Sequence, residues 1–241
     1  MGTKPWVEGP LELLRHGAGH LELGEEFDSR IAMISVDNAV ELMIKTYLGL
    51  PRRATGIVGL SRKKFDEITQ SFPLLLDALE KFAGDKLVGI ELADIEWYHR
   101  LRNQLYHDGN GITVARMRVE AYLEIAKILL TNLFATPAEE ILIHESTNLL
   151  VLFIHKWVNL EQELLKLQAY RRIPDNVTVA MTIEWLCEDK ILPNNFLANF
   201  RELRQLRNKL MHAKKPPSTL GLREAITKVQ NLYGIVKASY I

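Results

Sequence analysis

Apolar residues recur along this chain at intervals of three and four. Near the C-terminal end, Leu222, Ile226, Val229, Tyr233 and Val236 draw one stripe down an amphipathic helix. Met117, Ala121, Ile125 and Ile128 do the same within residues 114–134. Period-two alternation is scarce, no Gly-rich phosphate loop leads into a helix, and strands do not alternate with helices. The pattern predicts an all-α chain.

Breakers divide that pattern. Residues 49–59, with Pro51, read as a loop, after which Ser61 can cap the next helix. Pro73 begins or breaks a helix. Gly109-Asn110-Gly111 is a helix stop. Thr136-Pro137 opens a new helix with Glu139 and Glu140 in its first turn, where the helix dipole favours acids. Pro174 and Pro193 divide the second half of the chain, and Lys214-Lys215-Pro216-Pro217 ends a further helix.

Within this layout a seven-residue string occurs twice. Leu101-Arg102-Asn103-Gln104-Leu105-Tyr106-His107 returns as Leu206-Arg207-Asn208-Lys209-Leu210-Met211-His212, with Leu, Arg, Asn, Leu and His identical. Each copy lies at the C-terminal end of a helix, before a breaker and one more long helix. Upstream, Val36-Asp37-x-x-x-Glu41-Leu42 matches Val158-Asn159-x-x-x-Glu163-Leu164. The longer interval between these two motifs in the first copy falls in the loop and short-helix region around residues 49–85, where insertions are tolerated. The chain therefore reads as two copies of one helical unit, residues 10–135 and 136–241, related by a pseudo-twofold axis.

Composition narrows the function. A hydrophobic fraction of 47% and a charged fraction of 25% are those of an ordinary globular protein. A net charge of zero argues against a broad basic face coating nucleic acid. Arg52-Arg53, Arg62-Lys63-Lys64, Arg171-Arg172 and Lys214-Lys215 read as solvated surface. Cys187 is the only cysteine. It excludes a disulfide framework, suits a cytoplasmic protein, and reads as a small buried hydrophobe rather than a nucleophile. The N-terminus, with Glu8 and Glu12, lacks a signal-peptide core, and the apolar run from Leu149 to Ile154 is far too short to span a membrane.

The repeated string carries the chemistry. Arg is a permanent planar donor suited to phosphate, His can move a proton near neutral pH, and Asn can orient either. Residues four apart on a helix differ by about 40° and residues five apart by about 140°. Asn103 and His107 thus share a face while Arg102 points partly away, so a second motif facing the first is expected to complete the site. Two His and two Arg around one cleft are enough to cleave RNA without metal: one His as base on the ribose 2′-hydroxyl, the other as acid at the 5′-oxygen, with the Arg pair on the phosphorane. No metal-ligand spacing is evident, and no cofactor is expected. The same residues read equally as helix-end capping in either copy alone, and doubling favours a site. Asp37, Glu41, Asn159 and Glu163 either pair with the motif arginines or lie on polar stripes. His99 can share the face of Asn103, and Trp97, Tyr98 and Tyr106 either pack in the core or stack a base. His16, His20, His144 and His155 read as structural or exposed.

Arg102-Asn103-x-x-x-His107 and Arg207-Asn208-x-x-x-His212 resemble the R-x4-6-H signature of HEPN domains. The likeness covers nearly the whole chain as two tandem units. It implies compact helical bundles that pair face to face, and a metal-independent endoribonuclease of the toxin–antitoxin, CRISPR-associated or anti-phage kind. Arg102, His107, Arg207 and His212 would be catalytic, with Asn103 and Asn208 in the polar position after the Arg. The implied partners are RNA, an antitoxin or defence protein, and a second copy of the chain. Some members only bind nucleotide or RNA, which is the alternative the resemblance leaves open. HEPN toxins inactivated through a tyrosine two residues after the His differ from this chain, which has Gly109 and Lys214 there.

Overall fold

The computed structural model describes residues 4–107, 113–136, 149–174, 176–212 and 219–240. Among them there is no strand, and the all-α reading holds. The chain divides into two compact units, Met1–Glu145 and Ser146–Ile241. The stops at Gly109-Asn110-Gly111 and Lys214-Lys215-Pro216-Pro217, the helix start after Pro137, His144, and the side chains of His107 and His212 lie outside the described residues.

Unit 1 contains α1 (Pro5–Leu23), α2 (Glu26–Gly49), the short α3 (Arg52–Thr55) and α4 (Arg62–Ile68), α5 (Phe72–Ala83), a 3-10 turn at Gly84–Lys86, α6 (Leu92–His107) and α7 (Arg116–Phe134). The stretch read as a loop after Gly49 thus holds one helical turn, α3. Ser61 caps α4 as expected, its hydroxyl accepting from Lys64 N at 3.3 Å, and Pro73 lies in the first turn of α5.

The centre of unit 1 is α2, which packs against α1, α5, α6 and α7. Ala32, Met33, Val36, Ala39, Val40, Met43 and Ile44 are all 0% exposed. A helix buried on nearly every side belongs in the middle of a bundle. On α7, Ala121 and Ile125 of the stripe are buried but Met117 and Ile128 are only half-buried, while Val119, Leu123, Ala126, Leu129 and Leu130 on other faces are buried. Each large aliphatic side chain so buried contributes about 1.5–3 kcal/mol. α1 folds back on α2 through Gly24 and Glu25, with Gly24 at φ 84°. Gly17 permits the close crossing: a Cβ there would lie 3.0 Å from Val36 Cγ2 and 3.3 Å from the Ala32 carbonyl oxygen.

Unit 2 contains α8 (Leu149–Tyr170), α9 (Val179–Glu188), α10 (Phe196–His212) and α11 (Thr219–Ala238). α8 packs against α9 and α11, and α10 against the same two. Trp157, stacked on Phe200 at 5.0 Å between ring centroids, anchors the core together with Phe153 and Phe196. On α11, Leu222, Ile226, Val229 and Val236 are buried and Tyr233 is half-buried, as the stripe requires. Cys187 is half-buried rather than buried, and its thiol donates to the Pro193 carbonyl at 3.3 Å. Burial pushes that thiol's pKa up, away from nucleophilic character. Among the described residues no helix is long and apolar enough to cross a membrane.

Candidate functional site

In unit 1 the polar residues of α2 and α6 converge on one buried carboxylate. Asp37 is 0% exposed. Its Oδ2 accepts from Arg102 Nε at 2.7 Å and is 2.9 Å from His99 Nδ1, while its Oδ1 accepts from the Tyr122 hydroxyl at 2.8 Å. An isolated buried carboxylate would cost several kcal/mol, and here three donors offset that cost. Burial raises the Tyr122 phenol well above its ordinary pKa, and the Asp37 charge adds to the effect.

Stacking holds the donors in place. His99 lies flat on Phe72, at 3.7 Å between centroids and 7° between planes. Tyr122 stacks on Tyr98 at 4.3 Å and 10°. Arg102 extends beyond Asp37, donating from Nη1 to Asn103 Oδ1 at 2.8 Å and from Nη2 to Glu41 Oε2 at 3.4 Å and Asn38 Oδ1 at 3.5 Å. The two Nη2 contacts are long and therefore weak. They are the ones an incoming phosphate oxygen would displace most cheaply. Glu41 is also held by Lys45 at 2.6 Å.

Unit 2 repeats part of this arrangement. Arg207 Nη1 donates to Asn208 Oδ1 at 3.3 Å, the same atom pair as in unit 1. The surroundings differ. Arg207 is 2% exposed, whereas the Arg102 side chain keeps 16%. Asn159, at the position corresponding to Asp37, is exposed. Glu163 is buried, and among the described residues the cations on its carboxylate are Lys237 at 3.1 Å and Lys166 at 3.5 Å. Burial pushes the Glu163 carboxyl up, but Lys237, the Tyr240 hydroxyl and Lys166 together outweigh it and hold its pKa below the ordinary value.

The other candidates separate clearly. Tyr98 is core, at 1% exposure, and Arg118 lies over the half-buried Trp97 ring at 5.2 Å. Tyr106 is 65% exposed. His20 is bound to Asp28 at 2.8 Å, and His155 is exposed. Tyr122 is a site residue that the motifs do not single out. A lone tyrosine among aliphatic residues on a central helix needs a hydroxyl partner, and that is the signal that points to it.

One donor group among the described residues has the spacing for a metal ion, which the linear sequence does not suggest: single ligand atoms of Asp37, Glu41 and His99 lie within 4.8 Å of one another. The fold creates it by joining α2 to α6 across 62 residues of chain. The Arg102 guanidinium reaches both carboxylates, with Nε 2.7 Å from Asp37 Oδ2 and Nη2 3.4 Å from Glu41 Oε2, so a cationic side chain already offsets part of their charge. No protein-family model matches the chain, and no curated protein or solved structure matches it.

Proposed function

We propose that this protein is a metal-independent endoribonuclease of the stress or anti-phage type, using its two R-N-x3-H motifs to cleave RNA by transesterification and leave 2′,3′-cyclic phosphate ends. The observation that carries the reading is the repeated Arg–Asn contact: Arg102 Nη1 on Asn103 Oδ1 and Arg207 Nη1 on Asn208 Oδ1. A guanidinium followed five residues on by a histidine suits a phosphodiester, because Arg presents its donors in the plane a phosphate needs. The role of metal as charge neutraliser falls to Arg102 and Arg207. The partners proposed with this activity are an RNA substrate and an antitoxin or defence-system protein.

The test is cleavage of mixed-sequence RNA in excess EDTA, with product ends identified by mass spectrometry. Wild-type protein should give cyclic phosphate ends. His107→Ala and His212→Ala should each remove nearly all activity if the two histidines divide the acid and base roles. Cleavage that survives the double variant sinks the proposal. RNA binding without product, weakened by Arg102→Ala, would instead support a non-catalytic RNA- or nucleotide-binding module. The engagement of Arg102 by Asp37, Glu41 and Asn103 gives that second reading its support.

A further inference from the structure

The motif pairs Arg102 with His107 by sequence, but the fold pairs Arg102 with His99. Residues 99 and 102 are three apart on α6, about 60° apart around the axis and about 4.5 Å along it. Their side chains meet at one atom: Arg102 Nε and His99 Nδ1 lie 2.7 Å and 2.9 Å from Asp37 Oδ2. His107 is about 140° around the helix from Arg102.

The Asp37 contact also decides what His99 can do. A carboxylate only accepts, so the ring proton sits on Nδ1 and the Nε2 lone pair is left to take a proton. Among the described residues no hydrogen bond engages Nε2. The side chain keeps 14% exposure, and the ring is locked flat on Phe72. A carboxylate that fixes tautomer and orientation, with a stacked ring and a phosphate-binding Arg alongside, is how an imidazole is prepared as a general base.

Unit 2 does not repeat this pair. Arg204 stands where His99 would be, and Asn159 where Asp37 would be, and both are exposed. The device belongs to unit 1 alone, so it is not a by-product of whatever maintains the repeat.

We propose that His99, oriented by Asp37, is a further catalytic residue, taking the ribose 2′-hydroxyl proton on Nε2 while Arg102 holds the adjacent phosphate. The assignment rests on the ribonuclease reading and changes which imidazole serves as base. The 2′-oxygen bonds to phosphorus, and its proton passes to His99 Nε2. The P–O5′ bond breaks with its electron pair on the 5′-oxygen, which takes a proton from a motif histidine, and that histidine regains one from water. The products are a 2′,3′-cyclic phosphate and a 5′-hydroxyl, and His99 returns its proton to water.

His99→Asn is the informative variant, because the amide can still donate to Asp37 but has no second ring nitrogen. It should lower kcat by about 10²–10⁴-fold, the usual contribution of one positioned base, with KM for RNA and melting temperature little changed. In the wild-type chain, diethyl pyrocarbonate should modify His99 and a 2′-O-methyl RNA of mixed sequence should protect it, as read by peptide mass spectrometry. A cleaving chain indifferent to His99→Asn, or a His99 that the reagent reaches but RNA does not protect, overturns this assignment and leaves the ribonuclease reading standing. A wild-type chain that leaves RNA intact overturns both.

Discussion

Replacing Asp37 by Ala tests how much of unit 1 depends on one carboxylate. The substitution removes acceptors for Arg102, His99 and Tyr122 at 2.7, 2.9 and 2.8 Å. Removing one partner of a buried ion pair costs roughly 3–5 kcal/mol, because the remaining groups are left uncompensated. Two of the three donors sit near the surface, with 16% and 14% exposure for Arg102 and His99, and can recover water. Tyr122 is 0% exposed and cannot. The loss should therefore fall at the lower end, about 3 kcal/mol, of which about 1–2 kcal/mol is the stranded phenol. Tyr122→Phe alone should cost about 1 kcal/mol. In the Asp37→Ala background the same change should cost nothing or stabilise, since it deletes the orphaned hydroxyl. Guanidinium unfolding of the four chains in the cycle gives the coupling directly. A coupling near zero, or an Asp37→Ala loss below about 1 kcal/mol, would refute the claim that Asp37 is a structural hub.

Other outcomes arise from the same kinds of contact. Glu163 has a folded pKa below its ordinary 4.5, so its stabilising contribution is present above that pH and lost as pH falls through the folded value. Wild type should lose stability below about pH 4.5 more steeply than Glu163→Gln, as read by thermal unfolding across pH. Tyr122 behaves in the opposite sense. Its folded pKa lies well above 10.0, so stability is full below pH 10 and falls as the unfolded phenol ionises and the folded one does not. Tyr122→Phe should flatten that alkaline loss. Trp157→Ala, at a 1% exposed site stacked on Phe200, should destabilise unit 2 by about 3–5 kcal/mol in calorimetry.

The helical architecture is legible in the sequence because period and punctuation agree: the Leu222 stripe faces a core, Ser61 caps α4, and Pro174 and Pro193 fall between helices. The width of the α7 contact is not legible, because burial on every side depends on neighbours that a stripe does not reveal. Of the candidate site, Arg102 with Asn103 and Arg207 with Asn208 can be read from the doubled string. The pairing of Asp37 with Arg102 is one of two readings, since an acid on an apolar helix implies a partner without naming it. His99 and Tyr122 depend on α2, α6 and α7 meeting, and no spacing within α6 or α7 encodes the carboxylate both use. Unit 2 shows the converse. Its letters match at Glu163, yet that carboxylate is held by Lys166 and Lys237, which the repeat does not specify.

The two-residue link at Gly24 and Glu25 and the close crossing at Gly17 also carry a kinetic consequence. Contacts across a short link cost little loop entropy, so α1 and α2 can form a hairpin before distant helices arrive. At that stage Asp37 still faces water, with α6 and α7 unbound. Its carboxylate loses its hydration only when Arg102, His99 and Tyr122 dock, 65, 62 and 85 residues further along the chain. The Asp37 cluster would then be the last part of unit 1 to assemble and the first to open. Folding φ-values high for Leu14→Ala and near zero for Tyr122→Phe would mark that order, and the reverse pattern would exclude it.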